Sequence, residues 1–183
     1  MIGRPVRQSG RALAVLGVTA VLAVILDQVV KELATKNLVE GEPVRILGGL
    51  VYLSLLRNSG AAFSLGSGYT WVFPMVTFVV IIWITVMARK LRSLPWALSL
   101  GLVLGGALGN LADRLFRAPG VFHGHVVDMI SVFGPNGEHF AVFNIADSCL
   151  SVGVVLAVLL ELTGRQRDGS RTSKQNVEAG EIP

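Results

Sequence analysis

The run FAVFNIADSCLSVGVVLAVLL, residues 140–160, is long enough to cross a bilayer, yet Asn144 and Asp147 sit inside its first third. An ionisable side chain in hydrocarbon is costly unless partners or water compensate it, so a carboxylate at that depth marks function. Three further stretches have the length a spanning helix needs, roughly 17–25 residues. The four spans lie at about 12–30, 71–88, 94–114 and 141–162. Charged residues make up only 15% of the chain, against about 25% in soluble globular domains. The expected fold is an all-α polytopic membrane protein of four transmembrane helices, with a small extracytoplasmic β-rich patch and an outer-face loop.

Arg4, Arg7 and Arg11 precede the first run as they would in a secretory signal. That run, however, passes straight into DQVVKEL without a small-x-small cleavage site, which favours a retained helix. The single cysteine, Cys149, lies deep in the fourth span and reads as a small apolar filler.

Basic residues set the orientation. Arg4, Arg7, Arg11, Arg89, Lys90, Arg92, Arg165, Arg167, Arg171 and Lys174 are ten of the 16, all close to span ends on one side. The positive-inside rule makes that side cytoplasmic, with both termini inside. Anionic lipid and topology then account for the net charge of +4 without any nucleic acid. The segments at about 31–70 and 115–140 lie outside. In the first, PVRILGGLVYLSLLRNSGAAF reads as two or three short strands. In the second, GPNG reads as a turn between short extended pieces. Residues 1–163 are expected to form one integral membrane domain, and 164–183 a disordered cytoplasmic tail.

Five places carry polar groups at membrane depth: Asp27, the group Asn110, Asp113 and Arg114, Asp128, Asn144, and Asp147. In this topology all five fall at or beside the outward ends of their spans. Asn110 and Arg114 are i,i+4 and share a helix face while Asp113 points elsewhere; Asn144 and Asp147 are i,i+3 and share another. Gly101, Gly105 and Gly109 recur every fourth residue, a seam that lets a second helix approach closely. Asp27 can simply pair with Lys31 at i,i+4, Arg114 can snorkel to the interface, and His123 and His125 read as loop residues without a metal-ligand spacing.

Asp128 and Asp147 are 19 residues apart, about 28 Å along a single helix, so the GPNG turn must fold the chain back to join them. Two carboxylates sharing a proton supply one acid and one base near neutral pH, enough for hydrolysis without a covalent intermediate. Structural ion pairing and ion transport remain open beside that reading. A small transporter or channel subunit would use the same acidic residues as an ion path, and a non-catalytic scaffold would not need them.

Five ordered blocks carry a resemblance to the lipoprotein signal peptidase (signal peptidase II) family of membrane aspartic peptidases. They are DQVVK at 27–31, RNSGAAFS at 57–64, GGALGNLADR at 105–114, VVDMI at 126–130 and FNIADSC at 143–149. The resemblance spans about residues 12–162 and implies that Asp128 and Asp147 are the catalytic pair. It further implies that Asn58, Gly60, Asn110, Arg114, Asn144 and Ala146 line or support the pocket, with Asp27 and Lys31 as a supporting pair. Ala112 and Cys149 are mild departures from the family pattern. The implied substrate is a diacylglyceryl-modified bacterial prolipoprotein, cleaved just before its lipidated cysteine in the cell membrane. No metal or other cofactor and no nucleic acid are expected; membrane lipid is, and the chain is expected to work as a monomer.

The topology has a direct check. Reporter fusions at the C-terminus and at the 89–93 link should report a cytoplasmic location, and fusions within 31–60 an outer one. An outer location for the link would overturn the orientation.

Overall fold

The computed structural model describes residues 6–60 and 72–171. Four helices carry the chain: α1 (Val6–Asn37), α2 (Val72–Ala88), α3 (Leu94–Phe116) and α4 (Ile145–Leu162). Three strands accompany them, β1 (Val44–Ile46), β2 (Val51–Asn58) and β3 (Val126–Val132). The protein is thus an all-α polytopic membrane protein with a small antiparallel sheet. Within α1, Gly10–Asn37 is long and apolar enough to cross a membrane, as are α3 and α4. The 17-residue α2 is apolar but shorter, and Trp71, the expected start of its span, lies outside the described residues.

Helix α3 is central. Some 61% of its most apolar window is buried, against 22% for α1 and 17% for α4, so it alone is enclosed by its neighbours. The glycines make this possible. A Cβ on Gly101 would lie 2.8 Å from the Leu16 carbonyl oxygen, and one on Gly105 2.6 Å from Ala23 Cβ, both on α1. Gly106 faces the other way, onto the Ala146 carbonyl and Leu150 of α4. Small residues on two faces let α1 and α4 close on α3 at backbone distance, where van der Waals contact replaces a hydrophobic drive that lipid cannot supply. Ala12, Leu16, Ile84, Leu91, Trp96, Leu100 and Leu160 pack together where α1 and α3 begin and α2 and α4 end.

The sheet sits at the opposite end. Its order is β1-β2-β3, antiparallel throughout. The first outer segment contributes two strands, and the third comes from the second outer segment, so one sheet joins both. A register shift between Leu53 and Leu56 precedes the pairing of Leu56 with Asp128 and of Asn58 with Val126. Ala34, Leu55, Val127 and Met129 seal the sheet against the end of α1. The GPNG sequence makes a short 3-10 turn, Pro135–Gly137, after which Phe143 bridges back to Ile130.

Two boundaries differ from expectation. Helix α1 does not stop near residue 30 but continues to Asn37, because KELATKN holds good helix formers and a Glu32–Lys36 pair at 3.0 Å. Asp27 and Lys31 therefore lie within a continuous helix rather than at its exit. The tail expected to be disordered from 164 begins with an ordered turn. The Arg167 carbonyl accepts hydrogen bonds from the Arg92 and Ser93 amides at 2.9 and 3.0 Å, and the Trp96 indole donates to the Arg165 carbonyl at 2.7 Å. Residues 172–183 lie outside the described residues, as do 61–64 of the RNSGAAFS block.

The glycine seam predicts a contrast within the bundle. Gly105→Leu should destabilise the folded protein by about 1–3 kcal/mol through overpacking. Gly17, with nothing within 4 Å of an added Cβ, should tolerate Ala with no loss, since helix propensity gains about 1 kcal/mol. Thermal unfolding in one detergent would separate the two, and equal midpoints would refute the close α1–α3 contact.

Candidate active site

Where α1, α3 and α4 meet the sheet, a cluster of charged and amide side chains is almost wholly shielded. Lys31 has no exposed surface. An ammonium offers three donors and no acceptor, and here all three are used. Lys31 Nζ lies 2.8 Å from Asp27 Oδ2, 2.9 Å from Asp113 Oδ2 and 3.0 Å from Asn110 Oδ1. The expected i,i+4 pair with Asp27 is formed, and Asp113 of α3 joins it from across the helix interface.

Each carboxylate of this triad has further partners. Asp27 Oδ1 accepts from the Ala146 amide at 2.9 Å, which ties α1 to the start of α4. Asp113 accepts from the Val127 amide at 3.1 Å and from Arg117 Nε at 2.7 Å. Gln28 Nε2 lies within 3.2 Å of both Asp27 and Asp113 oxygens, and donates to the Gly109 carbonyl. The buried charges are thus hydrogen-bonded as well as paired, the condition under which such a group is tolerated.

Asp128 follows from strand geometry. It is opposite Leu56 on β2, so Asn58, two residues along, shares its face as a diagonal neighbour. Asn58 Nδ2 donates to Asp128 Oδ2 at 3.0 Å, and Asn144 Nδ2 donates to Oδ1 at 2.7 Å. Both amides are oriented by backbone. Gly60 N–H donates to Asn58 Oδ1, and Asp147 N–H to Asn144 Oδ1, each at 2.9 Å, leaving the NH2 groups to face Asp128.

Asp147 enters through the helix start. Asn144 caps α4 and Asp147 is three residues on, a reciprocal box in which Asp147 Oδ2 accepts from the Asn144 amide at 3.2 Å. The other oxygen, Oδ1, accepts from Asn110 Nδ2 at 2.8 Å. One residue, Asn144, therefore binds both carboxylates, Asp128 with its side chain and Asp147 with its backbone. Arg114 Nη2 donates to the Gly60 carbonyl at 2.6 Å, holding the strand end against α3.

Burial pushes the Asp128 carboxyl up to about 7, and the Asp147 charge adds to the rise; the Asn58 and Asn144 donors and the Lys31 charge oppose it. Among the described residues no cluster of three or more His, Cys, Asp or Glu is arranged to hold a metal ion. His123 and His125 sit in the loop after α3, with backbone bonds to Gly120 and Ala118.

Asp27, Lys31, Asn58, Gly60, Asn110, Arg114, Asp128, Asn144, Ala146 and Asp147 all take part in this network, whereas His123 and His125 lie in the loop after α3. Asp113 is expected only as a polar group at membrane depth, without a role in the pocket, and Gln28 and Arg117 are not singled out by the sequence at all. The i,i+4 spacing of Asp113 and Arg117 was the available signal, whereas nothing local marks Gln28.

Apolar helices of spanning length meeting a sheet around two amide-held carboxylates, Asp128 buried on β3 and Asp147 partly buried in the first turn of α4, define a membrane protein with a polar site suited to acid–base chemistry. The profile of the family described as Signal peptidase (SPase) II matches residues 19–163. The chain is similar to the lipoprotein signal peptidase of Streptomyces coelicolor, 48% identical over 91% of this chain and 79% of that protein. The Mycobacterium tuberculosis lipoprotein signal peptidase is 47% identical over 84% of this chain and 74% of its own. A solved structure described as a bacterial membrane enzyme superposes with a TM-score of 0.72 and 30% identity, covering 90% of this chain and 95% of that one. A second, described in the same way, gives 0.68 and 31% over 84% and 93%. The chain belongs to the signal peptidase II family. It is a membrane hydrolase, an aspartic endopeptidase by family.

The raised carboxyl of Asp128 has a sign that can be tested. An unfolded aspartate loses its proton near pH 4, and the folded one near pH 7. Between these values the folded state holds the extra proton, so this contribution to stability is full below about pH 4 and lost as pH rises through about 7. Asp128→Asn removes the titration. The wild type should therefore lose stability relative to D128N between pH 5 and pH 8, measured as unfolding midpoints; a constant difference would contradict the shift.

Proposed function

We propose that Asp128 and Asp147 are the catalytic pair of a signal peptidase II. The enzyme removes the signal peptide from diacylglyceryl-modified prolipoproteins at the membrane. The observation that carries the assignment of residues is the double hold of Asn144, which fixes both carboxylates in one network. Asp128, with its proton retained to about pH 7, serves as the acid, and Asp147 as the base.

In the reaction Asp147 takes a proton from water as the water oxygen bonds to the scissile carbonyl carbon. The proton of Asp128 goes to the departing nitrogen as the C–N bond breaks. The carboxyl product and the free amine account for one water, and the pair resets by moving its proton back from Asp147 to Asp128. Asn58 and Asn144 keep Asp128 oriented through both protonation states. Arg114 holds the Gly60 carbonyl and is thereby suited to position substrate backbone; a guanidinium remains charged and makes a poor proton donor. Lys31, Asp27 and Asn110 support the pair from behind, Asn110 through its bond to Asp147.

The substrate chemistry suits this placement. A prolipoprotein holds its signal helix and its acyl chains in the bilayer, so its scissile bond lies near the membrane surface. A site at the ends of α1, α3 and α4, beneath the sheet, meets the bond there. In the full arrangement α2 is the fourth span, residues 1–163 form one membrane domain, both termini are cytoplasmic, and the site opens toward the outer face. The charge distribution supports that orientation, and the apolar character of α2 supports the span.

Cleavage of a diacylglyceryl-modified substrate by the purified chain tests the assignment. D128N and D147N should each reduce turnover by about 10²–10⁴-fold, at matched expression and fold. Because the pair works as a unit, the double variant should be little worse than either single one. Wild-type turnover should fall as pH rises through about 7, where Asp128 gives up its proton. Substantial turnover by either single variant would sink the shared mechanism.

A further inference from the structure

The end of the bundle remote from Asp128 carries a second built feature. The turn at 164–171 lies against the link between α2 and α3, fastened by the bonds from Arg92, Ser93 and Trp96. Between turn and link is a cavity of about 450 Å³ lined by Val86, Met87, Lys90, Gln166, Arg167 and Asp168. One wall is the apolar last turn of α2, and the charged lining is two cations, Lys90 and Arg167, with one carboxylate, Asp168.

The Arg167 guanidinium lies 5.3 Å from the Trp96 ring centroid, a cation–π contact that holds it in place. Lys90 is exposed at the other side. Arg89, Arg92, Arg165 and Arg171 are close in sequence on link and turn, against the acids Asp168 and Glu161. Asp168 is engaged in forming the turn, its carboxylate accepting from the Ser170 amide at 2.8 Å. Below the cavity, Val76, Val79, Trp83 and Val86 are exposed along one face of α2. Their spacing of three and four residues makes a continuous apolar stripe.

We propose that this cavity binds an anionic phospholipid. The phosphate sits between Lys90 and Arg167, Gln166 faces the headgroup, and an acyl chain follows the α2 stripe. A basic pocket with an apolar floor at the end of a membrane helix fits charged headgroup and tail together. Free phosphate would use the cations alone and leave the apolar wall uncovered. Because the turn is seated on the same link, lipid binding would stabilise the docked turn. The proposal concerns the remote end of the bundle and stands apart from the assignment of the catalytic pair.

The test uses the full chain in detergent, supplied with phosphatidylglycerol and phosphatidylcholine in equal amounts, with retained lipid counted by native mass spectrometry. Phosphatidylglycerol should be retained on the order of tenfold over phosphatidylcholine. K90A/R167A should bring the two lipids to parity, whereas R45A, at the sheet end, should leave the preference intact. K90A alone changes an exposed side chain and should lower the preference several-fold without disturbing the fold. Millimolar inorganic phosphate should fail to displace the lipid; displacement would make this an anion site and overturn the lipid reading. Equal retention of both lipids by the wild type, or an unchanged preference in folded K90A or K90A/R167A, would equally overturn it.

Discussion

The protein is organised around one buried ammonium. Lys31 comes from α1, two of its acceptors, Asp113 and Asn110, from α3, and its third, Asp27, from its own helix. Asp27 reaches on to the start of α4 through the Ala146 amide, and Asp113 to β3 through the Val127 amide. A cation of this kind is tolerable only when every donor is met; α1 and α3 meet all three, and the two aspartates that do so bind α4 and β3 in turn. Removing one partner of such a group typically costs about 3–5 kcal/mol, because a charge is left buried alone. The same demand that makes the cluster expensive makes it specify geometry.

The pair of carboxylates inherits that geometry. Asn110 accepts from Lys31 on its oxygen and donates to Asp147 from its nitrogen, so the position of the cation is passed to the carboxylate by one planar amide. Asn144 does likewise between Asp128 and Asp147. The two carboxylates differ in environment: Asp128 is on a strand, 1% exposed and held by two neutral amides, whereas Asp147 is in the first turn of α4, where the helix dipole favours negative charge. Distinct surroundings for two identical groups are what separate an acid from a base.

Much of this was legible in the sequence, and for a local reason. Apolar runs of spanning length announce helices whatever their partners. The Asp27–Lys31 and Asn144–Asp147 spacings specify contacts within one turn, and the glycine repeat of α3 specifies a close approach. What escaped was non-local. That β3 pairs with β2 depends on register across about seventy residues, and no short pattern encodes it. The expectation that Asp113 points away from the Asn110–Arg114 face fails: Asn110 and Asp113, three residues apart, converge on the same Lys31 ammonium of α1. The overrun of α1 is written in its helix formers, which hydropathy does not register. The turn at 164–171 is fastened through backbone carbonyls, to which composition is blind. The family blocks imply roles for residues that local spacing alone leaves open between hydrolysis, transport and ion pairing.

The pairing of β2 with β3 also dictates when the site can exist during synthesis. Asn58 and Asp128 are separated by 70 positions, and Asp27 meets Ala146 across 119. Everything between, including α2 and α3, must be made before either contact closes. A nascent chain that has emitted its first three helices holds Lys31, Asn110 and Asp113 but neither carboxylate of the pair. The Asn58–Asp128 contact can close once β3 has been made, and Asp147 joins it only with the first turn of α4. The polar network is therefore closed from its C-terminal side, by the helix start that brings Asn144, Ala146 and Asp147 together.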